Sequence, residues 1–155
     1  MSSSTTSLRP LRAAACSALL ALASGAALAA LEGAPSELPS ARVQRTPAVT
    51  SAGVAYTDVR RALKSGTVVH EYVDASGAVF ALVWSGPFKP DLKRLLGRHF
   101  DRLQQGAGQR GANPSRMEVK ESDFVVESSG HMGAFEGRAW IPARLPAGFD
   151  PQEMP

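Results

Sequence analysis

Residues 67–84, TVVHEYVDASGAVFALVW, constrain the fold more than any other part of the sequence. Two runs rich in β-branched and aromatic residues flank the turn DASG, in which the Asp74 carboxylate can accept hydrogen bonds and Gly77 can take a positive φ. Successive side chains of a strand point to opposite faces of the sheet, and here both faces are largely apolar. The segment therefore predicts a central β-hairpin that is covered on both sides.

Residues 90–105, PDLKRLLGRHFDRLQQ, predict one amphipathic helix. Pro90 suits the first turn, and Asp91 is favourable near the positive end of the helix dipole. The apolar residues recur at helical spacing and form one stripe: Leu92, Leu95, Leu96, Phe100 and Leu103. The glycine-rich stretch from Gly106 to Pro114 predicts a loop.

Short strand patterns surround the hairpin and the helix. RMEVK, DFVVES and AFEGRAWI predict three strands after the helix, whereas residues 54–66 leave strand and helix open, with the β-branched residues favouring a strand. We therefore expect an α+β domain over residues 54–149, with three strands, a helix and three strands. Its antiparallel sheet would have about five to six strands, with the helix packed on it.

Both ends of that domain carry extensions. Residues 30–53 contain three prolines and no hydrophobic period, which predicts a flexible lead-in. After the last strand we expect the chain to dock through Leu145 and Phe149, and residues 150–155 to form a tail.

Residues 1–29 have the pattern of a secretory signal peptide. Arg9 and Arg12 precede an apolar run, and the small residues of Ala27-Leu28-Ala29 predict cleavage before Ala30. A membrane anchor is the alternative, but the run is short for a spanning helix and is dominated by alanine. We expect a periplasmic or secreted protein with no stable membrane insertion after cleavage.

Cleavage would also change the composition. The single cysteine, Cys16, would be lost, so the mature chain would have no disulfide, no thiolate nucleophile and no cysteine metal site. Without Arg9 and Arg12, the 17 basic residues become 15 against 14 acidic ones. No basic patch remains to predict nucleic-acid binding.

The three histidines do not predict a metal site. His70, His99 and His131 are scattered and have no His-x-x-x-His spacing, so we expect neither a metal nor another cofactor. His70 is predicted to be a satisfied core residue opposite Ala81, and His99 lies at the boundary of the apolar helix stripe.

His131 lies in the connection between the last two strands, residues 129–133, beside Gly130 and Gly133. Such a hairpin can present a ligand or a proton-transfer group. The simpler interpretation is a turn in which the glycines supply positive φ and the imidazole is solvated, and we prefer it.

Glu71 and the two tryptophans are the other candidates. Glu71 has apolar neighbours on its face, so its carboxylate must be paired or hydrogen-bonded. Arg138 is the expected partner, with Glu136 as a competitor for that arginine. Trp84 is predicted to be a core residue, whereas Trp140, near a strand end, is a candidate for an exposed binding surface.

The sequence also resembles an uncharacterised family of exported Gram-negative proteins, domain of unknown function 2844. The specific pieces are Glu71-Tyr72-Val73, Trp84-x-Gly86-Pro87, Pro90-Asp91-Leu92 and Gly130-His131-Met132. The family often has an aromatic residue at the position of His99, a glycine at that of Ser129 and an arginine at that of Gly133. These departures weaken a functional role for His99 and any arginine-dependent role for the His131 loop. The resemblance implies export and an accessory role beside other envelope proteins.

We therefore expect a non-catalytic periplasmic module that binds an envelope protein or polymer, with His131, Trp140 and Arg138 as binding candidates. A small hydrolase or lyase using Glu71 or His131 is the alternative. A cleft that joins Glu71, Arg138 and His131 would favour the enzyme. An exposed aromatic patch with His131 alone at a tip would favour the binding module.

Overall fold

One seven-stranded sheet dominates the computed structural model, which describes residues 30–109 and 115–155. The predicted signal peptide lies outside these residues. The strands are β1 (Ser40–Val49), β2 (Ala55–Leu63), β3 (Val68–Val73), β4 (Val79–Gly86), β5 (Arg116–Lys120), β6 (Val125–His131) and β7 (Ala134–Trp140). They are antiparallel and lie in the order β1-β2-β3-β4-β7-β6-β5. The α+β class is confirmed.

The expected number of five to six strands was wrong. The additional strand is β1, which lies within the segment expected to be a flexible lead-in. Almost all of its side chains are exposed and it contains Pro47, so neither alternation nor composition marks it as a strand. It forms because it pairs with β2 along nearly its whole length. Residues 55–63, left open between strand and helix, are β2 itself.

The β3–β4 hairpin has the predicted turn. The Asp74 carboxylate accepts hydrogen bonds from the N–H groups of Ser76 (2.8 Å) and Ala78 (3.1 Å), and Gly77 has a φ of 85°. The pairing shifts by one residue beyond the turn, because Tyr72 pairs with Ala81 whereas Val73 pairs with Val79. Phe80 therefore forms a bulge and joins the same face as Tyr72 instead of the face of Glu71.

The sheet is covered on both faces, as the central hairpin predicted. On one, which we call the helix face, the helices and residues 30–38 contact a cluster that includes Val69, Leu82 and Trp84. On the other, the tail face, residues after β7 cover Tyr72, Phe80 and Trp140. Apolar burial on both faces makes the sheet the middle layer of the fold.

The helix is interrupted where one continuous helix was expected. It consists of α1 (Leu92–Leu96), a 3-10 turn (Gly97–His99) and α2 (Phe100–Gln109), and Gly97 has a φ of 53° at the break. Four of the five predicted stripe residues are buried and Phe100 is half-buried. Residues 106–109, expected to be part of a loop, are helical. In the described residues, no helix has the length and apolarity needed to cross a membrane.

The segment after β7 docks on the tail face, as predicted. The Phe149 ring packs edge-on against Phe80, with 4.9 Å between centroids, and against Tyr56 at 5.5 Å. Leu145 packs against the same cluster, and Met154 is only 9% exposed. This docking buries aromatic surface that the sheet would otherwise expose.

The turn at Asp74 generates a prediction about pH. Burial raises the pKa of Asp74, but hydrogen bonds from Ser76, Arg144 and Ala78 lower it by more, from 3.8 to about 2. The ionised carboxylate therefore stabilises the fold above about pH 4, and this contribution is lost as the pH falls from about 4 to about 2. We expect Asp74→Asn to lower the free energy of unfolding by about 1–2 kcal/mol at pH 7.

Urea unfolding at several pH values measures this effect. The difference in the free energy of unfolding between the wild type and Asp74→Asn should become smaller as the pH falls from about 4 to about 2. The exposed Asp101→Asn on α2 is the matched control. A difference that stays constant from pH 7 to pH 2 would contradict the assignment.

Candidate functional site

Large exposed apolar side chains occur at two places in the described residues. Val43, Val49 and Val54 belong to β1 and the turn that follows it. The other two are Phe88, which is 61% exposed, and Met132, which is 93% exposed. These two lie at the end of the sheet where β4 ends and β6 turns into β7. We call this end the tip surface and define it as Pro87, Phe88, His131, Met132 and Phe135.

The β6–β7 hairpin forms one side of the tip surface. His131 pairs with Ala134, so the connection is a two-residue turn, Met132-Gly133, and Gly133 has a φ of 90°. Gly130 is also required at its position, because a Cβ there would lie 2.5 Å from the carbonyl oxygen of Ala134. The glycines thus tighten the hairpin and leave Met132 at its apex.

His131 is exposed at this apex. Its Nδ1 lies 3.2 Å from the carbonyl oxygen of Met132, the residue next to it. Within the described residues, no hydrogen bond or ion pair joins the ring to a carboxylate. The ring is exposed and has no orienting acid, as we preferred, but His131 is the last residue of β6 and not part of the turn.

Thr67 and Gly86 hold the other side of the tip surface. Thr67 is fully buried, and its hydroxyl donates to the Phe88 carbonyl (2.6 Å) and accepts from the Phe88 N–H (3.3 Å). Gly86 has a φ of 155°, and a Cβ there would lie 2.5 Å from the Cα of Thr67. The Phe88 backbone is therefore fixed while its ring remains in solvent.

A groove of about 730 Å³ separates the two sides. Its lining includes Gly86, Pro87, Gly130, His131 and Phe135. The ammonium group of Lys89 lies 5.9 Å from the centre of the Phe135 ring, so one cation borders this apolar surface. The groove is open, and Ser85, Ser115, Ser129 and Glu136 also line it.

Glu71 does not pair with Arg138, so that expectation was wrong. Its side chain is fully buried on the helix face, where one carboxylate oxygen accepts from Arg61 Nε at 2.6 Å and the other from the Ser36 N–H at 2.7 Å. Arg61 lies on the neighbouring strand β2, whose position the sequence pattern left open. Both oxygens are engaged within the fold, so Glu71 has a structural role here.

Arg138 and Trp140 lie on the tail face, away from Glu71. The Arg138 guanidinium donates to Glu127 (2.8 Å) and to the side chain of Gln152 (2.8 Å), and so ties the C-terminal segment to the sheet. Trp140 is 8% exposed and belongs to the buried cluster of that face, where we had expected an exposed surface. The structure therefore does not bring Glu71, Arg138 and His131 together.

Two carboxylate–histidine pairs were missed by the sequence reading. His70 pairs with Val83, not Ala81, and its Nδ1 lies 2.9 Å from Asp58. His99 is 3% exposed, and its Nε2 lies 2.7 Å from Glu32. Each pair joins distant segments. The register of β2 and β3 brings Asp58 beside His70, and the course of residues 30–38 brings Glu32 beside His99, so sequence spacing does not reveal either pair.

Such pairs can orient a histidine as a base. Neither histidine, however, contributes to the groove at the tip surface. No cluster of three or more His, Cys, Asp or Glu residues suited to a metal ion occurs in residues 30–109 and 115–155. The evident role of the His70–Asp58 and His99–Glu32 pairs is to join distant segments of the fold.

Comparison with known proteins gives one family match. The model of a family described as "Protein of unknown function (DUF2844)" matches residues 27–154, which is most of the chain. No curated protein and no solved structure matches.

The buried pair on the helix face generates a prediction. Glu71→Ala would leave the Arg61 guanidinium buried without its partner, and we expect a loss of about 3–5 kcal/mol in the free energy of unfolding. The double variant Arg61→Met/Glu71→Leu removes both charges and should recover part of that loss, because the Ser36 N–H would still lack its acceptor. Urea unfolding of the wild type, the single variant and the double variant measures both effects.

Lys120→Ala provides the control, because Lys120 pairs with Glu118 and Glu127 at the surface and its side chain is 58% exposed. The Lys120→Ala variant should lose little stability, because an exposed ion pair is weakened by solvent. If Glu71→Ala cost no more than Lys120→Ala, the structural role of the buried pair would be wrong.

Proposed function

The chain belongs to the DUF2844 family of proteins of unknown function, and we propose that it is an exported, non-catalytic module that binds another protein of the envelope. The observation that carries this proposal is the tip surface, where Phe88 and Met132 expose 61% and 93% of their areas. Apolar side chains of this size are costly to leave in water, and two of them at the same end of the sheet form a candidate interaction site.

The fixed backbone around the tip surface supports the same proposal. Thr67 holds Phe88 through two hydrogen bonds, and the tight turn holds Met132 at the hairpin apex. A surface that is ordered before binding loses less conformational entropy when the partner arrives. Methionine adapts to irregular apolar partners, and phenylalanine provides a large rigid contact.

An enzyme that uses Glu71 or His131 is the alternative, and the geometry favours it less. Acid–base catalysis needs a proton-transfer group within reach of the reacting atoms. Both oxygens of Glu71 are engaged inside the fold, and His131 has no orienting carboxylate among the described residues. A hydrolase or lyase activity that His131→Ala abolished would favour the enzyme instead.

Export is the second part of the proposal and rests on the signal-peptide pattern of residues 1–29. Ala30 and Leu31 already belong to the folded domain, since their N–H groups donate to the carbonyls of Arg94 (3.1 Å) and Leu95 (3.0 Å). A mature chain that begins at Ala30 would keep this segment complete.

The processing site is tested by the intact mass of protein recovered from the periplasm or the medium. We expect a chain that begins at Ala30, because cleavage requires the small residues Ala27 and Ala29. Ala29→Arg should block cleavage and retain the precursor, and Glu37→Gln serves as a control beyond the site. Recovery of exported wild-type protein that still carries residues 1–29 would contradict the proposal.

Binding is tested with tagged protein and envelope extract from its own host. The variant Phe88→Ser/Met132→Ser should lose a partner that the wild type retains, because central apolar contacts dominate interface energies. The partner is then purified, and we expect its dissociation constant to rise about tenfold or more for the variant.

Val54→Ser is the matched control, since it removes an exposed apolar side chain away from the tip surface. Circular dichroism should show that all three proteins are equally folded. Equal binding of the purified partner to the wild type and to the tip variant would refute the proposal.

A further inference from the structure

Strand β1 is the second place where large apolar side chains are exposed. It forms one edge of the sheet and pairs with β2 alone within the described residues. It runs for ten residues, and Val43 and Val49 are 41% and 67% exposed. A strand of this length with one free edge offers unpaired backbone groups to another extended chain.

The hydrogen bonds at two turns show which residues face the free edge. The Thr50 N–H donates to the Val54 carbonyl at 2.9 Å, which directs Thr50 toward β2. The Leu63 N–H donates to the Thr67 carbonyl at 2.8 Å, which directs odd-numbered residues of β2 toward β3 and even-numbered ones toward β1. Because the direction alternates along an antiparallel strand, the odd-numbered residues of β1 point their N–H and C=O groups outward.

In the first half of β1, every outward-facing residue has both its backbone N–H and its C=O group. Val43 and Arg45 each offer an N–H donor and a carbonyl acceptor, whereas Pro47 has no N–H. Proline and charged side chains on an edge also prevent uncontrolled pairing. An added strand would therefore find its register over residues 42–46.

The positive charge of the first half of β1 indicates which kind of partner it would bind. Arg42 and Arg45 are exposed, β1 contains no Asp or Glu, and no ion pair involves either arginine in the described part of the chain. A second copy paired through β1 would bring these arginines against their equivalents. Arg42 and Arg45 are three residues apart and thus lie on opposite faces of the strand.

We propose that β1 binds an extended acidic segment of a partner protein by strand addition, with carboxylates three residues apart facing Arg42 and Arg45. The backbone groups of Val43 and Arg45 supply the hydrogen bonds, and the valines contact apolar residues of the added strand. This surface is separate from the tip surface.

The probe is a labelled nine-residue peptide of Thr-Val-Glu repeats, which places glutamates three residues apart. The matched control is the Thr-Val-Lys repeat of the same length. At low salt we expect the acidic peptide to bind at least about tenfold more tightly than the basic one, and binding to weaken as salt is added. In NMR spectra, hydrogen exchange of the Val43 and Arg45 amides should slow when the acidic peptide is bound.

Two variants separate charge from backbone pairing. Arg45→Glu should weaken binding of the acidic peptide about tenfold or more at low salt. Val43→Pro removes one outward N–H without touching the pairing with β2, and should weaken binding about fivefold or more. Val43→Thr keeps the N–H and serves as its control, and Met132→Ser should bind the peptide as the wild type does.

Three results would overturn the proposal. The first is equal affinity for the acidic and basic peptides, or no binding of either. The second is binding that Val43→Pro leaves unchanged while circular dichroism shows an intact fold. The third is a dimer in sedimentation experiments that Val43→Pro dissociates, because β1 would then serve a second copy of the chain.

Discussion

The β3–β4 hairpin carries apolar side chains on both faces, and the rest of the structure follows from covering both. Apolar surface on either face would be costly in water, so the chain must supply two covers. The helices and residues 30–38 provide one, over Val69, Leu82 and Trp84. The segment after β7 provides the other, through Leu145, Phe149 and Met154. Phe80, Leu82 and Trp84 are thereby fully buried.

Each cover is held by polar contacts as well as by apolar burial. On the helix face, the Ser36 N–H donates to the buried Glu71 carboxylate, whose charge Arg61 balances. On the tail face, Arg138 joins Glu127 of β6 to Gln152 of the C-terminal segment. A buried carboxylate or guanidinium is stable only when its partners are correctly placed. These pairs therefore favour one arrangement of the two covers.

The sequence predicted the elements whose pattern is local. The β3–β4 turn, the apolar stripe of the helix, and the exposed His131 at the end of β6 follow from residues near one another in the chain. β1 could not be predicted in this way, because its exposed residues show no alternation and only pairing with β2 makes it a strand. The Glu71 partner was misassigned for the same reason, since Arg61 becomes its neighbour only when β2 lies beside β3.

The covering of the two faces also bears on where the proposed partners would bind. Backbone groups inside the sheet are paired with neighbouring strands, and the apolar side chains of the two clusters lie under one of the covers. Two of the places that stay open in the described residues are the end of the sheet, where turns project side chains, and the β1 edge, where a strand keeps unpaired backbone groups. The tip surface offers apolar side chains on a fixed backbone, which suits a folded partner. The β1 edge offers hydrogen bonds beside two arginines, which suits an extended acidic chain. The two proposed surfaces would therefore take different kinds of partner, and both lie outside the two buried clusters.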